Sequence, residues 1–374
     1  AITTAADGTC TAKLTSVGGG QLSHRNIAIN GAMTVAQRGS SGNIGAFIVD
    51  RFPVFGTGHD EIPTQAQVDV AAGTTPYSLG FRKALKVTNG NQTGGAGASD
   101  RLFTQTKLEA QDIANSGWNY TDPNSFITLS YWVKSSVAQN FYGDIRTFDG
   151  TAQGYCFETG TLTADTWTKI VKKIPGNSNL QFDNDNDSGI TIVFGIYHGT
   201  DYTDSGRNLN QWAAYSGSSR MPDNTTTWYT TNDATFEYTG VQLEVGNTAT
   251  SFEHRSFGDE LMRCMRYYET NNYTTFAKNT DGSITSYWST ITSNDSSTLV
   301  VSTGIVYKVG KRASPTVTLY NPSNTTTANR VNAQGTERTV TATYGGPNAL
   351  TRIYVSGASS GNYVTYNWEA SAEL

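Results

Sequence analysis

The stretch SFITLSYWVKSS, residues 125–136, alternates apolar and polar side chains with a period of two. One face of such a strand carries the apolar residues Ile127, Leu129, Tyr131 and Val133. Residues 189–199, GITIVFGIYHG, repeat the pattern with these residues on one face: Ile190, Ile192, Phe194 and Ile196. A strand with one face on a core and the other in polar surroundings has this period. The pattern therefore predicts β-strands that cover a common core.

A third stretch, ATFEYTGVQLEV at 234–245, changes parity in its middle. Its apolar residues stand at even numbers before residue 239 and at odd numbers after residue 240: Phe236, Tyr238, Val241, Leu243 and Val245. One extra residue at positions 239–240 would return both sets to a single buried face. The pattern therefore predicts a β-bulge at Thr239 and Gly240.

The composition favours an all-β chain, because charged residues make up only 15% while 38 Gly and 20 Tyr are present. Many antiparallel strands without helical spacers favour a jelly-roll β-sandwich over residues 24–255. Alternating patterns return after residue 270 and predict a second, smaller C-terminal β-sandwich over 271–374. Residues 1–23 carry little pattern and end in GGGQ, which is typical of an extended N-terminal arm.

The stretch SFEHRSFGDELMRCMRYYE, residues 251–269, breaks the β pattern. Ser256 followed by Asp259 resembles a capping box and predicts a helix over about 257–269. The apolar residues fall on one helical face: Phe257, Leu261, Cys264, Met265 and Tyr268. Residues 256–270 are therefore interpreted as a connecting helix between two β-domains, and not as an active site built on His254, Arg255 and Cys264.

Charge and cysteine content exclude several classes of protein. The net charge of -5 and the pI near 5.4 lack the basic surface that nucleic acid or an anionic membrane requires. No apolar run approaches the roughly 18 residues of a membrane span, so we expect neither a nucleic-acid partner nor membrane insertion. Cys10, Cys156 and Cys264 are widely spaced without a CxxC motif, which predicts free thiols.

Motifs for catalysis or metal binding are weak throughout. GASSG at 357–361 matches a nucleophile elbow, but a strand pattern follows it and every His precedes it, which favours a hairpin turn. DNDNDSG at 183–189 begins like a calcium loop but lacks the Gly and Glu that an EF-hand needs at its sixth and twelfth positions. The four histidines are scattered: His24, His59, His198 and His254. We therefore expect no catalytic residue, no metal site and no cofactor.

The long connection at 199–233 is the best candidate for a binding site. It carries five aromatic residues among Asn, Asp, Arg and Gln: Tyr202, Trp212, Tyr215, Trp228 and Tyr229. Aromatic faces stack on the C–H faces of sugar rings, while amides and acids bond the hydroxyl groups. The same rings could instead anchor the loop on the sandwich or contact a neighbouring subunit. Both interpretations stay open at this point.

Several stretches together resemble bacteriophage tail-fibre and related virion proteins. They are RNIAINGAMTVAQRG (25–39), VDRF (49–52), YWVKSS (131–136), TGVQLEVGNTATSFEHRSFGDELMRCMRYYE (239–269) and YNWEASAEL (366–374). The resemblance implies a jelly roll similar to carbohydrate-binding modules, then a helix and a C-terminal β-domain. It also implies a virion component, often a homotrimeric fibre or adhesin that contacts the host surface. It supplies no catalytic or sugar-contacting residues.

Three hypotheses for function follow from these observations. The first is a receptor-binding protein on the phage particle that contacts a host-surface glycan without cleaving it, and that attaches to other virion proteins through its N-terminal arm. The second is a purely structural virion protein, such as a capsid decoration or fibre component. The third is a tailspike that depolymerises glycans, although the repeated short coils of a parallel β-helix are not visible.

Overall fold

A computed structural model describes residues 2–4, 10–12, 24–271, 287–295, 298–322, 324–333, 335–356 and 363–374. The GASSG stretch at 357–361 and most of the proposed arm at 1–23 lie outside these residues. Within the arm, β1 (Ile2–Thr4) pairs antiparallel with β2 (Cys10–Ala12). In the described part of the chain, no helix is long and apolar enough to span a membrane.

The predicted sandwich is built from short antiparallel strands with three brief helices in their connections. Its strands are β3 (Ser41–Asn43), β4 (Val54–Thr57), β5 (Thr64–Asp69), β6 (Lys83–Thr88), β7 (Arg101–Glu109), β8 (Phe126–Ser135), β9 (Asn140–Thr147), β10 (Gln153–Thr161), β11 (Thr168–Pro175), β12 (Ser188–His198), β13 (Trp212–Ala214) and β14 (Thr235–Val245). The helices are α1 (Thr75–Ser78), α2 (Ala110–Ala114) and α3 (Thr227–Thr230).

Two six-stranded sheets form the layers of this sandwich. The front sheet has the order β13-β10-β9-β12-β7-β4, and the back sheet has the order β11-β8-β14-β6-β5-β3. Their inner faces share one hydrophobic cluster, which includes the residues predicted to face the core on β8 and β12. The all-β, jelly-roll prediction is confirmed, and so is the period-two assignment of both strands.

The predicted bulge lies in β14. Thr239 is opposite Trp132 and Gln242 is opposite Ser130, so the two residues between them on β14 face a single residue of β8. Gly240 has a φ of +69°, and a Cβ there would lie 2.7 Å from the ring of Phe81. Only glycine fits this conformation and this space.

Beyond the bulge, β14 pairs with a different segment on the side where β6 was its partner. Its pairing with β6 ends at Tyr238. Val241 N then donates to Gly31 O at 2.9 Å, and Leu243 O accepts from Ile27 N at 2.9 Å. The segment at 26–31 thus completes the back sheet where β6 leaves it.

The predicted connecting helix is α4 (Phe257–Met265), and its N-cap is confirmed because Ser256 Oγ accepts from Asp259 N at 3.2 Å. The helix ends before the predicted residue 269. The next residues instead form β15 (Tyr268–Thr270), which pairs with the C-terminal strand of the chain. Leu261 and Cys264 pack in a small cluster with apolar residues from the start of the sandwich.

The C-terminal region forms a second all-β unit with its own hydrophobic cluster. Its further strands are β16 (Tyr287–Asp295), β17 (Thr298–Val306), β18 (Thr316–Asn321), β19 (Asn324–Ala328), β20 (Arg330–Ala333), β21 (Thr336–Gly346), β22 (Ala349–Ser356) and β23 (Tyr363–Ser371). Because β16 pairs with both β17 and β23, the pairings β16-β17-β22-β21-β20-β23 close into a ring. β18 and β15 pair with the second half of β23.

The residues around α4 that invited an active-site interpretation hold the fold together. His254 Nε2 lies 2.9 Å from Leu79 O, and its ring packs against Phe81. Arg255 Nη1 donates to Ala28 O at 3.3 Å and also pairs with Glu260. These contacts join the helix N-terminus to the back sheet, which supports the architectural interpretation.

Cys156 and Cys264 are free, as predicted, and both side chains are buried. The side chain of Cys10 lies outside the described residues. Among the side chains that the structure describes, no group of three or more His, Cys, Asp or Glu residues could hold a metal ion, and this includes the DNDNDSG turn.

Candidate functional site

The outer face of the front sheet is unusually rich in charged and aromatic side chains for the middle of a sheet. On β9, Ile145 faces the core, so alternation turns Asp144 and Arg146 outward. Asp144 is 2% exposed and Arg146 is 8% exposed, because other parts of the chain cover them. Buried charges in the middle of a sheet require a local explanation.

A bulge in β12 adds a histidine to the same face. The register between β12 and β7 shifts at 195–197, so that Tyr197 lies opposite Leu102 and His198 opposite Arg101. Leu102 faces the core, and therefore His198 and Arg101 face outward. Without the bulge, alternation from Phe194 would turn His198 into the core.

The imidazole of His198 packs on the outer face against Phe103. Its ring stacks on Phe103 at 5.5 Å between centroids. A Cβ on Gly195 would lie 3.2 Å from His198 Nδ1, so the missing side chain leaves room for the ring. His198 is 1% exposed, and both ring nitrogens lack a hydrogen-bond partner among the described residues.

The connection at 199–222 folds over this face. Arg220 N donates to Tyr202 O at 3.0 Å, Arg207 Nη2 donates to Gly154 O at 3.0 Å, and Tyr215 N donates to the carbonyl of residue 152 at 2.9 Å. A Cβ on Gly154 would lie 3.2 Å from Arg207 Nη2 and 3.5 Å from Tyr215 Cδ2. Gly154 therefore lets the loop approach the sheet closely.

Four arginines and two tyrosines lie on this outer face or in the loop that covers it, and we call them the arginine–tyrosine patch: Arg101, Arg146, Arg207, Arg220, Tyr202 and Tyr215. The Cζ atoms of Arg101 and Arg220 lie 4.9 Å and 5.0 Å from the ring centroid of Tyr202. The Cζ atom of Arg146 lies 5.4 Å from the ring centroid of Tyr215. Both tyrosine rings are partly exposed and in cation–π contact.

The patch carries more positive than negative charge. Arg146 is neutralised by Asp144, which accepts from its Nη2 at 3.1 Å and also from its Nε. No ion pair of the described side chains includes Arg101, Arg207 or Arg220. The Nε atoms of those three arginines are buried without a hydrogen-bond partner in the described part of the chain.

Burial and mutual repulsion act on the pKa values here. Burial lowers the pKa of Arg220, and the charge of Arg146 lowers it further. Burial also holds the pKa of His198 well below its ordinary value, with Arg146, Arg220 and Arg101 adding to the effect. Burial lowers the pKa of Arg146 too, but Asp144 more than offsets this and leaves it raised. His198 is therefore neutral at pH 7 among guanidinium groups.

The five predicted aromatic candidates are placed in two groups. Tyr202 and Tyr215 lie in the arginine–tyrosine patch. Trp212 lies in β13 with its ring against Tyr155 at 5.3 Å, and its Nε1 donates to Pro175 O at 2.7 Å. Because Tyr155 belongs to the core and Pro175 to the back sheet, Trp212 ties the two sheets together at one edge.

Trp228 and Tyr229 are not available to a ligand. Both side chains are 0% exposed. Trp228 Nε1 donates to Thr235 O at 3.0 Å, and the ring of Tyr229 stacks on Tyr197 at 4.4 Å. Their prediction as glycan contacts is corrected, because α3 points both rings into the core and they anchor the loop.

The four arginines and His198 were not among the residues predicted from the sequence. Arg207 and Arg220 stand in the same loop as the predicted aromatics, and their presence was a usable signal. Arg101, Arg146 and His198 lie in strands, where an outward polar residue is ordinary. Their convergence depends on the β12 bulge and on the path of the loop, which strand periodicity does not reveal.

Two concave regions lie elsewhere, where α4 meets the first residues of the sandwich. One of about 370 Å³ is lined by residues that include Asn26, Asp112 and Arg263. Another of about 580 Å³ is lined in part by Glu253 and Arg255. Their polar groups already bond one another, since Glu253 accepts from Asn26 N at 2.7 Å and pairs with Arg255. These regions are therefore parts of the junction.

No protein-family model matches the chain, and no curated protein matches it in sequence. Similar solved structures include the enzymatically active domain of tailspike protein 4 from bacteriophage CBA120, at 10% identity and a TM-score of 0.32, covering 59% of this chain and 21% of that one. The chain thus spans about a fifth of the length of that tailspike structure.

Carbohydrate-binding modules are also among the similar structures. A CBM4 module matches at 12% identity and a TM-score of 0.28, covering 58% of this chain and 99% of the module. The xylan-binding domain from CBM 22 matches at 10% identity and a TM-score of 0.29, covering 61% of this chain and 99% of that domain. At these identities and scores the likeness carries no conclusion about function.

Proposed function

We propose that the chain is a glycan-binding protein that does not cleave its ligand, and that the arginine–tyrosine patch is its binding site. One observation carries the proposal: the partly exposed rings of Tyr202 and Tyr215 lie beside guanidinium groups on a covered sheet face. Aromatic faces stack on the C–H faces of sugars, and guanidinium groups donate hydrogen bonds to hydroxyl and carboxylate oxygens. The patch provides both kinds of contact within one small area.

The proposed setting is a bacteriophage particle, where the chain acts as a tail fibre or receptor-binding protein on the virion surface. This part rests on the sequence motifs at 25–39, 239–269 and 366–374. Weak single sites would gain strength from several copies, as in a homotrimer whose N-terminal arms attach to other virion proteins. Analytical ultracentrifugation of the full chain tests this, and a monomer at micromolar concentration contradicts the trimer.

A glycan array with the full chain displayed in multivalent form tests the binding function. We expect bound glycans to be lost in Tyr202→Ala and in Tyr215→Ala. Tyr344→Ala is the matched control, because Tyr344 is 55% exposed on β21 of the C-terminal region, outside the patch. No binding at high multivalency, or binding that both patch variants retain, contradicts the proposal.

A purely structural virion protein is the second candidate. It is favoured by the observation that Trp212, Trp228 and Tyr229 serve the packing of their own loop. The array separates this candidate from the first, since a structural protein binds no glycan. A depolymerase is distinguished from a binding protein by incubating the chain with a polysaccharide that it binds. New reducing ends appear only if the chain cleaves the polysaccharide.

A further inference from the structure

We infer that the ligand of the arginine–tyrosine patch is an acidic glycan, whose carboxylate or sulfate group lies beside Arg101 and Arg220, the two guanidinium groups against the ring of Tyr202. This inference rests on the proposed function and specifies its ligand class. A neutral glycan needs aromatic faces and hydrogen-bonding groups but no excess positive charge. A neutral ligand would therefore not account for the excess positive charge of the patch.

The patch lacks a counter-charge for three of its arginines. Partly buried guanidinium groups are normally paired with a carboxylate, because an unpaired charge loses hydration without compensation. Asp144 fills this role for Arg146. Arg101, Arg207 and Arg220 lack an ion pair among the described side chains. An anionic group of a ligand supplies the missing counter-charge.

The guanidinium groups of the patch are already held in place. Arg101 and Arg220 both lie against the ring of Tyr202, at 4.9 Å and 5.0 Å from its centroid. Arg207 is tied to the sheet through Gly154 O. A guanidinium fork fixed in this way loses little side-chain freedom on binding and suits the planar geometry of a carboxylate.

A neutral histidine lies beneath these arginines. His198 is 1% exposed, and its ring packs against Phe103 and Tyr202. Burial keeps the imidazole uncharged, so it neither adds to nor offsets the positive charge of the arginines. The positive charge of the patch therefore comes from guanidinium groups alone.

The negative net charge of the whole chain disfavours the binding of polyanions. Its net charge is -5, so indiscriminate attraction to an acidic polymer is not expected. Binding to such a polymer would need a local positive site. The arginine–tyrosine patch is a described cluster that meets this requirement.

The test compares polymers that differ in charge but share a backbone. Polygalacturonate is compared with its methyl-esterified form, and dextran sulfate with dextran, by titration calorimetry on the full chain. The variants are Arg101→Gln and Arg220→Gln. The matched control is Arg82→Gln. The Cζ atom of Arg82 lies 4.0 Å from the ring centroid of Tyr77, next to β6 of the back sheet, and Arg82 forms no ion pair among the described residues.

We expect the chain to bind a charged polymer at least about tenfold more tightly than its uncharged form, since hydrogen bonds to charged groups are the stronger ones. Each patch variant should lose about tenfold in affinity for the charged polymer, while Arg82→Gln keeps the affinity of the intact chain. Preference for polygalacturonate indicates a carboxylate ligand, and preference for dextran sulfate indicates a sulfate ester. Circular dichroism and thermal midpoints confirm that each variant is folded.

Three outcomes overturn the inference. If the intact chain binds charged and uncharged polymers with equal affinity, and Tyr202→Ala loses this binding, the ligand is not specifically acidic. The proposed glycan-binding function is then unaffected. Charged-polymer binding that survives both patch variants places the anion elsewhere. If the chain binds a neutral glycan on the array but neither polyanion, the acidic class of ligand is also excluded. If it binds no glycan at all, the proposed function is overturned as well.

Discussion

Arg266 holds Glu109 through two hydrogen bonds, from Nε to Oε1 at 2.7 Å and from Nη2 to Oε2 at 2.6 Å. Glu109 is the last residue of β7, its side chain is 0% exposed, and it also accepts from Tyr267 Oη at 2.6 Å. One carboxylate therefore connects the front sheet to the end of α4. In the segment at 251–269, which resembled an active site in sequence, the charged group of Arg266 therefore connects α4 to the front sheet.

Removing this carboxylate should destabilise the chain strongly. We expect Glu109→Gln to lower the free energy of unfolding by about 3 kcal/mol, because Arg266 and Tyr267 would lose a buried charged partner. Urea denaturation followed by tryptophan fluorescence measures the change. Lys83→Ala is the control, since the Lys83–Asp69 pair is largely exposed and should contribute less than about 1 kcal/mol. Equal effects of the two substitutions would contradict this account.

The same pair predicts a dependence of stability on pH. Burial raises the pKa of the Glu109 carboxyl, but the hydrogen bonds from Arg266 and Tyr267 more than offset this and leave it below its ordinary value. The unfolded chain takes up the proton near pH 4.3, and the folded chain takes it up at lower pH. The contribution of Glu109 is therefore fully present above about pH 4.3 and is lost as the pH falls through the folded pKa.

Free energies of unfolding measured between pH 7 and pH 3 test the direction of this pH dependence. The stability difference between the intact chain and Glu109→Gln should be constant near neutral pH and should shrink in acid. A difference that grows as the pH falls would mean that the folded pKa is raised.

The bulge in β14 makes a separate prediction. Gly240→Ala should destabilise the chain by about 2 kcal/mol, because the residue has a φ of +69° and a Cβ would lie 2.7 Å from Phe81. Gly258→Ala is the matched control, since that glycine lies in the first turn of α4 with no atom within 4 Å of the added Cβ. We expect the control to be neutral or stabilising by up to about 1 kcal/mol. Thermal unfolding of both variants settles the comparison.

The packing of α4 can be tested at two adjacent positions. Leu261→Asp should lower the free energy of unfolding by about 2 kcal/mol, because Leu261 packs against the cluster that contains Ile29, Cys264 and Tyr267. Met262→Asp changes the next residue to the same side chain, and Met262 is 53% exposed. We expect Met262→Asp to stay within about 0.5 kcal/mol of the intact chain. If the two variants unfold alike, the helix does not dock through Leu261.

The sandwich was predictable from sequence because its signals are local. Alternation along β8 and β12, and the change of parity around Gly240, report which face is buried. The end of α4 was predicted too late because Tyr268 pairs with Ser371, a partner over a hundred residues away along the chain. An amphipathic pattern shows that Tyr268 is buried, but it does not distinguish a last helical turn from a short strand.

The candidate site was only partly predictable for a related reason. Composition indicated that the loop at 199–233 is rich in aromatics, but it could not show which rings face the core. Trp228 and Tyr229 face inward and belong to the core cluster, whereas Tyr202 and Tyr215 lie over the front sheet. The arginines beside them come from β7, β9 and the loop, so their meeting is a property of the fold.

Glycan binding by the patch is tested by the affinity of the double variant Tyr202→Ala/Tyr215→Ala for a glycan that the intact chain binds. Titration calorimetry of both proteins against that glycan gives the comparison. We expect a loss of at least about tenfold, since both aromatic rings of the patch are removed while the sandwich core is untouched. An affinity equal to that of the intact chain would place glycan binding outside the arginine–tyrosine patch and overturn the proposed site.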